Sequence, residues 1–316
     1  LQAGEADIGM SSRPIKDKEV DALRRFGNMR SRQSEYVVGL DGIAVIVHPS
    51  NPLGALNKDV IADIFAGRVT DWSQIGGPQG AIHVYARDDK SGTYDTFRSL
   101  VLGKKTPLVA GARRYESNAD LSDDVSRDPQ GIGFVGLPYV RQSRALVVAD
   151  GEARPIAPQA FAVATEDYAL ARRRFLYVPS SNANPAARAF ADFAVSRAGQ
   201  DIVDAVGFVS KRIIEGGVKL SEAEGYPEEY LHFTEGARRL SLNFRFNAGS
   251  IELDNKAHRD LERLVEYMRD VQNGDREVML LGFSDANEVL PIHAIELSIS
   301  RADIVADTLI RNGIDP

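Results

Sequence analysis

Over its first two-thirds the chain alternates between two rhythms of apolar and polar residues. Tyr36-Val37-Val38-Gly39-Leu40 and Gly42-Ile43-Ala44-Val45-Ile46-Val47 are short runs rich in β-branched residues and predict strands. Lys58-Asp59-Val60-Ile61-Ala62-Asp63-Ile64-Phe65 instead carries its apolar residues at helical spacing, with Asn57 suited to the N-cap and Gly67 to the C′ position. Further strands are predicted around 82–87, 132–135, 145–148 and 174–178, and further helices near 94–102, 165–174 and 185–195. Strands interleaved with helices imply α/β layers. Trp72, alone behind an amphipathic helix, reads as core.

The rhythm breaks after Val218. Ser221-Glu222-Ala223-Glu224-Gly225-Tyr226-Pro227-Glu228-Glu229 is acidic and aperiodic, which predicts a linker over 218–234 between domains at 1–217 and 235–316. Beyond it, Arg239-Leu240-Ser241-Leu242-Asn243-Phe244-Arg245-Phe246 alternates like a half-buried strand. An amphipathic helix follows from about Asp254 to Val271, with Leu261, Leu264, Val265 and Met268 on one stripe. A second strand at Val278–Phe283 and a helix at Ser298–Arg311 complete a β-α-β-α order.

Composition narrows the function classes. A length of 316 residues suits two domains, one fairly large. No apolar run approaches the roughly 18–20 residues of a membrane span, since Leu40 to Pro49 is broken by Asp41, Gly42 and His48. The absence of cysteine excludes disulfides, thiolate nucleophiles and Cys-ligated zinc. Net charge is −7, with 10 basic against 15 acidic side chains after residue 230, so neither domain reads as a nucleic-acid binder. The five histidines have no metal-ligand spacing and no G-x-S-x-G elbow occurs, so no catalytic residue, metal or cofactor is expected. The start at Leu1 has neither a basic nor an apolar leader region, so a signal peptide is expected to have been removed or never included.

Candidate chemistry concentrates in Tyr85-Ala86-Arg87-Asp88-Asp89-Lys90-Ser91-Gly92-Thr93-Tyr94, after a predicted strand and at the start of a predicted helix. A helix N-terminus offers unpaired amides, and Gly92 lets an anion approach them. Ser91 and Thr93 add hydroxyl donors, and the Arg87 fork can take two oxygens of a tetrahedral anion. Asp89 would repel a bare anion, but it can accept a proton carried by the ligand, which hydrogen phosphate has and sulfate lacks. Taken alone, the same residues also spell an ordinary turn and helix cap.

Four segments occur in order: Leu1 to Ile15, Ile64 to Gly77, Arg87 to Thr93, and Gly131-Ile132-Gly133-Phe134-Val135. Together they resemble the phosphate substrate-binding proteins of bacterial ABC transporters over roughly residues 1–213. The resemblance implies a periplasmic-binding-protein-like fold: two α/β lobes joined by crossing strands, with the N-terminal part of the first lobe missing here. It implies that phosphate lies between the lobes, with Arg87, Asp89, Ser91, Gly92 and Thr93 as ligands from the second lobe and Ser12, with Ser11, from the first. An ABC-transporter permease is the implied partner. An acidic residue common in that family at the Ser12 position is absent.

Phe246 to Leu253, Gly282-Phe283-Ser284-Asp285 and Leu297-Ser298-Ile299-Ser300-Arg301-Ala302-Asp303-Ile304-Val305 resemble an OmpA-like peptidoglycan-binding domain, an α+β fold whose last strand is missing here. The resemblance implies that Asp285 and Arg301 hold the diaminopimelate of the wall peptide, a zwitterion suited to one fixed anion and one guanidinium. It also implies the periplasm of a Gram-negative cell, at the wall or outer membrane. Ala294 stands where the family usually has Asn. The expected protein is thus a non-catalytic phosphate binder tethered to peptidoglycan. The alternatives are a wall-anchored adaptor or sensor that has lost its anion, and a haloacid-dehalogenase-type phosphatase using Asp89.

Overall fold

A computed structural model describes residues 1–103, 105–181, 184–216, 228–270, 276–285 and 287–315. The chain divides into two compact units, Leu1–Lys211 and Arg212–Pro316. Residues 218–227 of the expected linker lie outside the described residues, and its remainder carries a short helix at Glu228–Phe233.

In chain order the first unit runs β1 (Gly9–Ser11), α1 (Asp17–Ala22), β2 (Glu35–Val47), β3 (Ala55–Asn57), α2 (Lys58–Phe65), β4 (His83–Arg87), α3 (Gly92–Phe97), β5 (Arg113–Tyr115), α4 (Asn118–Val125), β6 (Gly131–Gly136), β7 (Arg144–Ala145), β8 (Val147–Ala149), α5 (Ala160–Ala164), β9 (Ala171–Tyr177), α6 (Pro185–Val195) and α7 (Arg197–Ala205). The two predicted strands at 36–47 are one continuous β2. Its first half pairs antiparallel with β9 from Glu35 to Gly42, and its second half with β6 from Ile43 to Val47. The strands neighbour one another as β1-β9-β2-β6-β4-β5, so β2 hands over from one group to the other at Gly42/Ile43. Ile43 to Val47 are wholly buried, because helices cover that half of the sheet on both faces and an uninterrupted apolar run is what such a strand needs.

Local signals set the helix boundaries. The Asn57 side chain accepts from the Asp59 amide, and Gly67 takes the left-handed conformation (φ 75°) just past α2. Trp72 is buried, and its indole donates to the Gln130 carbonyl at 3.3 Å. Phe97 of α3 lies flat on Phe134 of β6, with ring centroids 3.9 Å apart, and Phe65 of α2 meets both edge-on. Removing such a ring costs about 3–5 kcal/mol, so this cluster is what fixes α3 against the sheet. The helix expected at 165–174 is not there: α5 closes at Ala164, Thr165 caps it, Glu166 turns to φ 59°, and β9 begins at Ala171. Pairing of the three arginines 172–174 with β2 outweighs their helix propensity.

In the second unit, α8 (Glu228–Phe233) precedes α9 (Asn255–Asp270) and α10 (Pro291–Arg311). Leu261, Leu264 and Val265 of α9 form its core with Val305 and Leu309 of α10. The strands expected at 239–246 and 278–283 form no ladder among the described residues, where only the bridges Glu215↔Leu240 and Phe246↔Leu253 occur. The alternation still decides the buried face, since Leu240, Leu242, Phe244 and Phe246 all pack on the α9/α10 core. α10 starts at Pro291, about two turns before the predicted Ser298, because Pro at the first helical position gives up only an amide that has no helical partner.

Candidate functional site

The turn between β4 and α3 is built by its own polar side chains. Asp88 accepts from the Lys90 amide at 2.8 Å, and the buried Ser91 hydroxyl caps α3 by accepting from the amides of Thr93 and Tyr94 at 3.2 and 3.4 Å. Ser91 therefore shapes the helix start. A Cβ added to Gly92 would stand 3.2 Å from the Ser12 hydroxyl, so the segment after β1 and the start of α3 meet at this glycine. Ser11 is committed locally, donating to the Arg13 carbonyl at 2.7 Å and accepting from the Arg13 amide.

Arg87 ends β4 with a side chain only 11% exposed, so its guanidinium is turned away from bulk water. Its Nε donates to the Tyr115 carbonyl at 3.2 Å and Nη2 to the Glu116 carbonyl at 2.5 Å, while Nη1 has no hydrogen-bond partner among the described residues. Burial pushes its pKa below the ordinary arginine value, with nearby Asp88 pulling the other way. Asp89 stands apart from this group. Its carboxylate is 84% exposed and pairs with Arg114 at 2.7 Å, and Arg114 in turn lies over the Tyr94 ring.

Two groups absent from the sequence expectation complete the site. Asp41 and Arg172 face each other across the β2/β9 ladder, and both are almost wholly buried. Arg172 donates through Nε and Nη2 to Asp41 Oδ2 at 2.9 and 2.6 Å. It also donates through Nη1 to the Gly92 carbonyl and the Thr96 hydroxyl, and through Nη2 to the Thr93 hydroxyl at 3.0 Å. One side chain thus ties the crossing strands to the start of α3. Because Thr93 Oγ1 accepts from Arg172, its own proton remains available to donate elsewhere. Arg174 reaches the same Asp41 oxygen at 2.6 Å, so one carboxylate answers two guanidiniums. Burial lowers the Arg172 pKa; Asp41 opposes that, while Arg174 and Arg87 add to it. The surplus positive charge, held out of water, favours an anion.

The sequence marks each of these charges separately, though not their pairing. Asp41 interrupts an apolar run, and Arg172-Arg173-Arg174 sits among buried apolar residues. Charges placed there must be paired.

In the second unit Arg301 is buried and fully engaged. Nε donates to the Ser250 carbonyl at 3.2 Å, Nη1 to the Phe283 carbonyl and Glu288 Oε2 at 2.9 and 2.7 Å, and Nη2 to the Asn247 carbonyl and Glu288 Oε1, both at 3.3 Å. The guanidinium also lies 5.1 Å over the Phe246 ring. The Arg301 hydrogen bond holds the Glu288 carboxyl below the ordinary glutamate pKa. Asp285 is exposed, accepts from the Asn287 amide at 2.7 Å, and makes no ion pair with Arg301 among the described residues.

Residues 1–198 match the PBP superfamily domain, and residues 245–316 match the OmpA family. Protein SphX of Synechococcus elongatus is 36% identical over 218 residues, covering 65% of this chain and 63% of that protein's length. The phosphate-binding protein PstS of Borreliella burgdorferi is 26% identical over 208 residues, covering 64% of this chain and 71% of that one. Among solved structures, an ABC-type phosphate transport receptor from Vibrio cholerae superposes with a TM-score of 0.57 at 27% identity, covering 66% of this chain and 82% of that one. A putative phosphate ABC transporter substrate-binding protein from Clostridium perfringens, solved with bound phosphate, gives 0.55 at 28%, covering 66% and 81%.

Proposed function

The chain belongs to the PBP superfamily, and from that premise we propose that its first unit holds inorganic phosphate where the crossing strands meet α3. The observation that carries this reading is the start of α3, where Arg172 turns the Thr93 hydroxyl into a donor and the Ser12 hydroxyl lies beside Gly92; Arg87, at the end of β4 in the same turn, adds an Nη1 with no hydrogen-bond partner among the described residues. These groups offer a charged fork and hydroxyl donors, which a tetrahedral oxyanion accepts from. The phosphate-binding names of the relatives support the choice of anion. Those names describe binding and transport, so the phosphatase alternative gains nothing from them. An ABC-transporter permease is the proposed recipient.

The match of residues 245–316 to the OmpA family supports a second role. In this reading Asp285 and Arg301 hold the diaminopimelate of peptidoglycan, and the chain is anchored to the wall in a Gram-negative periplasm. No helix among the described residues is long and apolar enough to cross a membrane.

Calorimetric titration with phosphate and then sulfate, with Arg87→Ala as control, tests the first role. Heat from phosphate that disappears in the variant supports it, and no heat with either anion favours the adaptor alternative. Sedimentation with purified sacculi, compared with Asp285→Ala and Arg301→Ala, tests the second. Variants that sediment like the parent overturn the assignment of those two residues.

A further inference from the structure

The Arg301 fork is already occupied by a carboxylate of the protein's own. Glu288 binds it through both oxygens, and backbone carbonyls of Ser250, Phe283 and Asn247 take the other donors. A guanidinium has five N–H donors, and none of its nitrogens here is left without a partner. A ligand carboxylate can therefore reach Arg301 only by displacing Glu288, which accepts from the same two Nη atoms. Glu288 is ionised at neutral pH, so its release strands a negative charge in a partly buried place.

The cost of that release depends on what else the ligand carries. A plain carboxylic acid exchanges one carboxylate for another and leaves Glu288 without a cation. A ligand with an ammonium beside its carboxylate returns a partner to the displaced Glu288. Asp285 lies in the same turn, its amide donating to Glu288 Oε2 at 3.3 Å and its exposed carboxylate available to the same ammonium. One internal ion pair is then replaced by two with the ligand.

We propose that Glu288 is the specificity-determining residue of this site: it fills the Arg301 fork and gives it up to a ligand that pairs an ammonium with its carboxylate, as an end of diaminopimelate does, and not to a simple carboxylate. The proposal rests on the peptidoglycan reading of the second unit. It places discrimination in an internal competitor, and so accounts for an arginine in the expected ligand position with every donor spent.

The test titrates the whole chain with meso-diaminopimelate and with pimelate, which has the same carbon skeleton without the amines, in the parent, Glu288→Gln and Glu288→Asp. The parent is expected to favour diaminopimelate by about 10-fold or more, the scale of one charge-assisted hydrogen bond. Glu288→Gln narrows that preference to within about 3-fold, chiefly by gaining pimelate, whereas Glu288→Asp, which keeps the charge, retains it. Thermal melts confirm that both variants are folded. Diaminopimelate binding with the preference unchanged in Glu288→Gln overturns the proposal and leaves the peptidoglycan reading standing, as does loss of the preference in folded Glu288→Asp. Failure of parent and variants to take either ligand overturns both.

Discussion

Arg87 in the first unit and Arg301 in the second are both largely withdrawn from water, yet they are in opposite states. Arg87 spends Nε and Nη2 on two backbone carbonyls of the β5 end and keeps Nη1 unspent, while Arg301 spends all three nitrogens, two of them on Glu288. Burial alone therefore does not separate the two; what differs is the donor that Arg87 has left over among the described residues. In the proposed reading the first site takes an anion as it stands, and the second must exchange an internal partner first. Arg172 is a third kind, a guanidinium spent entirely on framework, joining Asp41 to the start of α3.

Four substitutions sharpen that contrast, in descending size. Arg172→Ala leaves the buried Asp41 with Arg174 as its one remaining guanidinium and unties the crossing strands from the start of α3, so chemical denaturation should show a loss of about 3 kcal/mol, the low end for a broken buried pair, together with loss of phosphate binding. Arg87→Ala should drop phosphate affinity about 100-fold, because a charge-assisted contact to the anion goes, while the chain stays folded with a loss of about 1–3 kcal/mol for the two hydrogen bonds to the Tyr115 and Glu116 carbonyls. Glu19→Gln acts on the segment bearing Ser12. Glu19 takes both Arg13 Nη atoms, and that hydrogen bond holds its carboxyl at about 2, below the ordinary 4.5. A depressed folded-state pKa stabilises above the ordinary value and loses its effect as pH falls from about 4.5 towards 2. The parent should therefore lose this contribution, at most about 1 kcal/mol for a partly exposed pair, across that window, and the variant should not. Asp89→Asn is the smallest: with its carboxylate in water on Arg114, phosphate affinity should change less than about 3-fold.

Much of the first unit was legible because its signals are local. The Asn57 cap, the Gly67 terminus and the run from Pro185 to Val195 each specify an element within a few residues, and α6 matches its predicted span. The Arg87 to Thr93 turn was legible for the same reason. Asp41 and Arg172 were not, since 131 residues separate them and their pairing exists only in the register of β2 against β9. Expecting a helix over 165–174 hid that register altogether. Asp89 shows the converse: its chemistry suited the site, but Arg114, from β5, competes for its carboxylate. Glu288 escaped notice because an acidic residue in a loop has no sequence signature until it folds back onto Arg301.

Whether phosphate is held at the start of α3 is decided by the structure of the chain crystallised with phosphate. An anion is expected within hydrogen-bond distance of Arg87 Nη1 and the Thr93 and Ser12 hydroxyls, with Arg172 still holding Asp41. An anion bound elsewhere, or Arg87 still donating only to the carbonyls of Tyr115 and Glu116 while phosphate is bound, would contradict that expectation.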